Sequence, residues 1–376
     1  MKIFANRRLT FILVLLAAIT IRELWLEHLP FFLRPGLHLY AYITSASQGA
    51  LTVVDVVRLA PVGTILVGPT PSGIRAHPTR KEIWGVSTQG GYAWVVDARS
   101  SQMAARIPVG NSPYAIDFSP DGRRAYVAAS GSGKVTAIDC AARRVVATGT
   151  AGRGPWIARA SPNGKWVVVS NRGDATISIL NALTLAPIAT VGVAPDPEQV
   201  VILPDSSKAF VSSGSRAEIS VVDLKSPGLI TNLDLGGNPA DLILKPDGGE
   251  IYIPSPDAHG LIIVNTETNE VGDFLLLGLS PDAGVLSEDA TWLYVSDAAS
   301  QRVVPVRVDI RNVQPPIAVG EHPGAEALVS EGDVLLVVNR ESNDLSVIRV
   351  RSDAPSSLIT MIPVAPQPRD IAVKAF

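Results

Sequence analysis

Three residues spaced 42 apart, Arg75, Asp117 and Arg159, carry charge where the corresponding positions elsewhere in this 376-residue chain are apolar. An arginine presents a planar fork of donors that grips a carboxylate or phosphate with two parallel bonds. Tyr114 and Trp156 stand three residues before Asp117 and Arg159 and offer flat faces for stacking, and Arg153 adds a further guanidinium. Residues of these types can bind a small anionic ligand. They can also form a set of salt bridges that holds structural units together, and the sequence leaves both readings open. Other chemistry is harder to find. Ser130–Thr136 has the look of a phosphate loop but lacks the Gly-x-x-x-x-Gly-Lys-Ser/Thr spacing. No Gly-x-Ser-x-Gly elbow occurs. The five histidines (His28, His38, His77, His259, His322) show no ligand spacing for a metal. The single cysteine, Cys140, leaves no disulfide framework, and no Cys-x-x-Cys-His for covalent haem is present. The expectation is therefore no catalytic set, no metal and no cofactor, with Arg75, Tyr114, Asp117, Arg153, Trp156 and Arg159 as candidate ligand or partner contacts.

The 42-residue spacing is a property of the whole chain. A Gly-x-x-Pro or Ala-x-x-Pro ends at Pro71, Pro113, Pro155, Pro197, Pro239, Pro281, Pro323 and Pro368. A second series, mostly aromatic, falls at Tyr42, Trp84, Tyr126, Val168, Phe210, Tyr252, Tyr294 and Leu336. A third runs Asp55, Asp97, Asp139, Asn181, Asp223, Asn265, then Arg307 and Arg349. Asp and Asn at the first six of these suit turns, because their side chains bond to backbone a few residues on. The last Pro interval is longer because three extra residues lie in "RSDAPSS" after Arg349. Each unit holds four short apolar runs separated by Gly, Pro, Asp and Ser, with no helical period. Four strands in a fixed period of this size make a β-propeller blade. We call them A (after the Pro), B (aromatic start), C (ending in Asp or Asn) and D.

Eight copies predict an all-β, eight-bladed propeller over residues 38–376. The repeats open on a strand B at Tyr40–Ser45 and end on a lone strand A, "RDIAVKAF" (Arg369–Phe376). That last strand is expected to complete the first blade and remove two free edges from the ring. B–C and D–A loops then share one face, and the Pro-containing loops ring the mouth of the central channel. Arg75, Asp117 and Arg159 fall on consecutive inner strands.

The phrase "IPVGNSPYAIDFSPDGRRAYVAASGSGKVTAID" resembles the YVTN-type β-propeller repeat family, and Asn171 in "VVVSN" and Asn339 in "LVVN" match its strand-B asparagine. The resemblance covers residues 40–376. It implies a propeller, commonly of seven blades, which sets a seven-bladed alternative beside the count of eight. It implies little about function. There is a looser resemblance to lactonase-like and quinoprotein propellers, without their site motifs.

The first 37 residues read differently. Lys2, Arg7 and Arg8 precede a pure apolar run, Leu9–Ile21, and a second apolar and aromatic stretch follows up to Phe32. This suits an export signal or an anchor over residues 9–33, forming one hydrophobic helix. Beyond residue 37 the chain carries 27 basic and 33 acidic residues, a balance that does not suit a general nucleic-acid binder. The sequence thus reads as an extracytoplasmic or periplasmic propeller, membrane-associated through its N-terminus. It would act as a non-enzymatic binding or scaffold module for a protein or small anionic ligand. The alternative is a propeller enzyme or redox-cofactor protein, such as a lactonase-like hydrolase or a quinone-dependent dehydrogenase.

Overall fold

The computed structural model describes residues 38–329, 333–351 and 354–376. The expected N-terminal helix and anchor lie outside the described residues. Eight antiparallel sheets follow one another around a ring, so the count is eight blades and not the seven that the family resemblance implies. Blades 2 to 8 each begin with an inner strand A and run outward to D. The inner strands are Pro71–Ala76, Pro113–Phe118, Pro155–Ala160, Pro197–Ile202, Ile243–Leu244, Pro281–Leu286 and Pro323–Val329. Blade 1 takes its inner strand from the far end of the chain. Pro368–Ala375 pairs antiparallel with Leu39–Ser45, Leu39 opposite Ala375 and Ile43 opposite Ile371. The ring therefore closes as the sequence predicts.

The aromatic series explains how blades adhere. All eight residues from Tyr42 to Leu336 are buried, the most exposed being Tyr294 at 4%. They face the next blade: Tyr42 packs with Ile74, Trp94 and Val96 of blade 2. The Tyr42 hydroxyl donates to Ala98 O at 3.1 Å, and Tyr126 reaches Ala182 O at 2.9 Å in the same way. Burying each such side chain contributes about 2–3 kcal/mol. A latch on the A–B/C–D face repeats this link with polar atoms. Glu82 accepts from Arg143 of the next blade at 2.8 Å, Lys208 donates to Thr266 O at 2.8 Å, and Glu250 pairs with Arg311.

The turn series also behaves as its chemistry dictates. Oδ1 of Asp55, Asp97, Asn181, Asp223 and Asn265 each accepts from the amides two and three residues on. The strand-B asparagines hold loops: Gly152 N donates to Asn171 Oδ1 at 3.1 Å, and Asn171 Nδ2 donates to Ser178 at 3.0 Å. Two blades depart from the pattern. The outer strand of blade 7 is split into Asn312–Val313 and Ile317–Ala318, with Pro315 and Pro316 between them. Proline has no N–H for the ladder, so two in a row interrupt this outer strand. The inner strand of blade 6 shrinks to two residues, leaving Asn238–Leu242 irregular.

Candidate functional site

In six of the eight blades the D–A loop enters the inner strand through a left-handed residue just before the proline. Thr70, Ser112, Gly154, Asp196, His322 and Gln367 have φ between 51° and 59°. Blade 6 uses Gly236 (φ 71°) instead, two residues earlier than the others. A register shift follows in most inner strands, as between Pro155 and Ala158. The bulge turns side chains from more than one phase of the repeat toward the channel.

Each inner strand is also the edge of its sheet, so its outward amides and carbonyls need partners from the neighbouring blade. Carboxylates and hydroxyls supply them. Ile74 N donates to Asp370 at 3.2 Å, and Ala160 N donates to Asp117 at 3.1 Å. Ser72 Oγ donates to Tyr114 O at 2.8 Å, and Ser170 Oγ to Glu198 O at 2.9 Å.

Below the mouth the inner strands carry Arg75, Asp117, Arg159, Glu326 and Asp370, with Lys374 at the far end of the closing strand, and Asp241 stands two residues before the short inner strand of blade 6. Arg159 Nη1 lies 3.7 Å from Asp117 Oδ1, with 22% and 25% of the two side chains exposed. Enclosure pulls the Arg159 guanidinium below its ordinary value, Asp117 opposing. Arg75 is exposed to the channel and has no ion-pair partner among the described residues. Asp370 is pushed up by burial, with Arg75 opposing. Asp241 lies in the irregular start of blade 6 and is likewise raised by burial, against the amides of Leu242 and Gly284 and the charge of Arg159. Glu326 is raised furthest, by burial and then by Asp241. Its Oε1 meets Ser296 Oγ, and its Oε2 is shut off from solvent with no partner.

At the mouth the side chains form a column. The Tyr114 and Trp156 rings stack with centroids 3.7 Å apart and planes 20° from parallel. The Arg172 guanidinium covers the Trp156 ring at 4.5 Å. Arg172 is itself held by Asp196 (Nε–Oδ1 2.5 Å) and Glu198 (Nη2–Oε1 3.0 Å). Tyr114 remains 39% exposed, and its hydroxyl is raised by burial and then by Asp370 and Glu198, with Arg369 opposing. Across the mouth Arg340 pairs with Asp282 at 3.2 Å, His322 Nδ1 stands 3.6 Å from Glu341, and Arg369 is exposed without a charged partner among the described residues.

Of the six residues expected from the sequence, the fold brings Tyr114 to Trp156 and Asp117 to Arg159, with Arg75 on the same arc of the channel. Arg153 is not in the column. Its side chain is exposed, and its backbone amide is tied to Asp174 at 2.9 Å. The cation over Trp156 is Arg172, which the sequence reading missed. A signal existed: that phase of the repeat reads Ala46, Thr88, Ser130, Arg172, Gly214, Pro256, Ala298 and Arg340, and its only two charged residues both reach the mouth. Glu326 and Asp370 were missed because they fall at other phases, which the bulges bring inward, and Asp241 because it lies in the irregular start of blade 6. Among the described residues, no three His, Cys, Asp or Glu side chains cluster as metal ligands would.

Comparison with known proteins gives a consistent fold. The family model described as the cytochrome D1 heme domain matches residues 86–239, the segment that carries Tyr114, Trp156 and Arg172 but less than half of the chain. No curated protein matches the sequence. Among solved structures, the dihydro-heme d1 dehydrogenase NirN in complex with DHE superposes with a TM-score of 0.70 at 14% identity, covering 88% of this chain and 74% of that one. AztD from Citrobacter koseri gives 0.67 at 14%, covering 90% and 98%. Kuenenia stuttgartiensis hydrazine synthase gives 0.60 at 20%, covering 74% and 95%. At these identities the likeness is one of architecture, and what it shares with all of them is the β-propeller.

Proposed function

We propose that the chain is an exported propeller, held at a membrane by its N-terminal segment, that binds a small planar molecule at the loop-face mouth of its channel without transforming it. The observation that carries this is the column Arg172–Trp156–Tyr114, which ends on a partly exposed ring face. A flat ring laid on Tyr114 would continue the stack, and stacking of this kind adds about 0.5–1.5 kcal/mol beyond the area buried. Arg369, whose charge acts on Tyr114, and Arg75, on the inner strand of the neighbouring blade, are exposed cations of this arc for an anionic substituent. The basic start and apolar run of residues 1–33 support the membrane assignment. The test is a calorimetric titration of the full chain with 2-naphthoate, a flat anion. Saturable one-to-one binding that is lost in Tyr114→Ala supports the reading; binding indifferent to that change sinks it.

The match to a heme domain over the very blades that build the column favours a second reading, a tetrapyrrole redox protein. The residues fit such a group in part. Tyr114 suits the face of a macrocycle and Arg369 its carboxylates. His322, the histidine of the D–A loops, keeps Nε2 available while Nδ1 faces Glu341. An iron tetrapyrrole would supply electron transfer there. Haemin titration separates the two readings: a six-coordinate spectrum that is lost in His322→Ala belongs to the second alone.

A further inference from the structure

The inner-strand charges are not scattered. In a ring of eight blades, blade 3 stands half a turn from blade 7. Arg75 and Arg159 belong to blades 2 and 4, and so flank blade 3; Asp241 and Glu326 belong to blades 6 and 8, and so flank blade 7. The intervening stretch of blade 7 is Ala283-Gly284-Val285, the smallest part of its inner strand. A Cβ on Gly284 would come within 2.8 Å of Ile243 Cδ1, so glycine lets blades 6 and 7 close up beside the acidic pair. The amides of Gly284 and Val285 oppose the rise that burial imposes on Asp241 and Glu326. Neither carboxyl has a cation within ion-pair distance among the described residues.

The opposite arc is balanced differently. There the order around the ring is Asp370, Arg75, Asp117, Arg159, alternating in sign. Arg159 spends one contact on Asp117, at 3.7 Å, and Arg75 spends none. The channel thus has donors to spare on one wall and two uncompensated carboxyls on the other. Asp241 favours the charged form of Arg159, after Asp117. The repeat itself breaks where the acidic wall begins: blade 6 alone has an inner strand of two residues, with Asp241 in the irregular part. Breaks in an otherwise regular scheme concentrate at functional positions.

We infer that the channel takes a zwitterion, with the ligand's carboxylate beside Arg75 and Arg159 and its ammonium group between Asp241 and Glu326. A purely anionic ligand would leave the acidic wall, whose carboxyls burial pushes toward the neutral form, without the cation that favours their charged form. A purely cationic ligand would leave the arginines without an anion. An ammonium group offers three donors, enough for the carboxyls of Asp241 and Glu326, the latter with one oxygen still unpartnered, and for one water. This rests on the mouth-and-channel binding site proposed above and specifies the charge of what enters it.

Three matched probes test it on the full chain by calorimetry at neutral pH: 2-naphthoate, 2-naphthylmethylamine and 6-aminomethyl-2-naphthoate. The zwitterion should bind at least about tenfold more tightly than either partner, equivalent to about 1.4 kcal/mol. Asp241→Asn and Glu326→Gln should each remove that advantage and leave naphthoate affinity within about twofold. Arg75→Gln should weaken naphthoate and zwitterion alike. If naphthoate binds as tightly as the zwitterion, the inference falls while the binding site stands. If no probe binds, both fall together. Glu326→Gln keeps shape and hydrogen-bonding atoms, so its circular dichroism and melting curve confirm that lost binding is not lost folding. An advantage that survives in both acid variants overturns the assignment of the ammonium site.

Discussion

Replacing Arg75 and Arg159 together by glutamine separates a ligand site from a structural brace. Arg159 makes one ion pair, at 3.7 Å, with a fifth to a quarter of both side chains reached by solvent. A pair that wet and that long is worth about 0.5–1 kcal/mol. Asp117 keeps the Ala160 amide when the arginine is gone, so it is not stranded. Arg75 has no ion-pair partner to lose. The expected cost is therefore about 1 kcal/mol. A propeller of roughly 340 residues unfolds with an entropy near 0.7 kcal/mol/K, so the melting temperature should fall by about 1–2 °C. Glu82→Gln provides the internal standard for a true brace. Glu82 is 4% exposed and accepts from Arg80, Arg143 and Trp84 at 3.1, 2.8 and 3.0 Å. Breaking that buried set should cost about 3 kcal/mol, or about 4 °C. Differential scanning calorimetry of the three proteins, with naphthoate titrations alongside, reads both quantities. A double arginine variant that melts as low as Glu82→Gln, or that binds naphthoate normally, refutes the assignment of these arginines to a ligand.

Gly73→Ala should cost more than about 3 kcal/mol, because the residue has φ 56° and an added Cβ would sit 2.5 Å from Ala115 Cα; chemical denaturation checks this, and a neutral result would mean blades 2 and 3 can part. His77 is buried, its Nδ1 accepts the Thr79 and Arg80 amides, and burial lowers its pKa, with Glu82 opposing and Arg80 and Lys374 assisting. A lowered imidazole contributes stability that is complete above its unfolded value of about 6.5 and is lost as pH falls toward the folded value. Denaturation midpoints between pH 7 and 5 should therefore drop in the wild type and drop less in His77→Gln. Trp156→Ala should release Arg172 from its ring and weaken naphthoate binding at least about fivefold, read by titration, because the column loses its middle member. Removing Arg369–Phe376 takes the inner strand from blade 1 and exposes Leu39 and Ile43; the truncated chain should lose its sharp thermal transition and become protease-sensitive.

Much of this architecture could be read from the sequence because a propeller repeats its punctuation. Proline at the start of strand A, an aromatic in strand B and an Asp or Asn at the end of strand C recur by position, and each has a local physical reason that needs no tertiary information. The closing strand was legible for the same reason, as an unpaired A at one end and a missing A at the other. The site was legible only where it kept the phase of the repeat. Arg75, Asp117 and Arg159 stood out at one phase, but inner-strand bulges bring Glu326 and Asp370 inward from different ones, and Asp241 stands in the irregular start of blade 6. A count at fixed spacing cannot see a register shift. Arg172 was missed for another reason: it comes from a B–C loop, and only the fold shows that this loop overhangs the ring of Trp156.

The way blade 1 is completed fixes how the ring responds to force. His38 and Phe376 exchange backbone hydrogen bonds, N to O at 3.3 Å and 2.9 Å, at one end of the antiparallel pair between the first and last described strands. Tension applied between those two residues loads that end alone. The bonds of the pair then break one after another, like a zipper, and never share the load in shear. The same residues pulled in their own blades away from this seam would meet whole sheets at once. Tension between residues 38 and 376 therefore opens the propeller at the seam of blade 1 first.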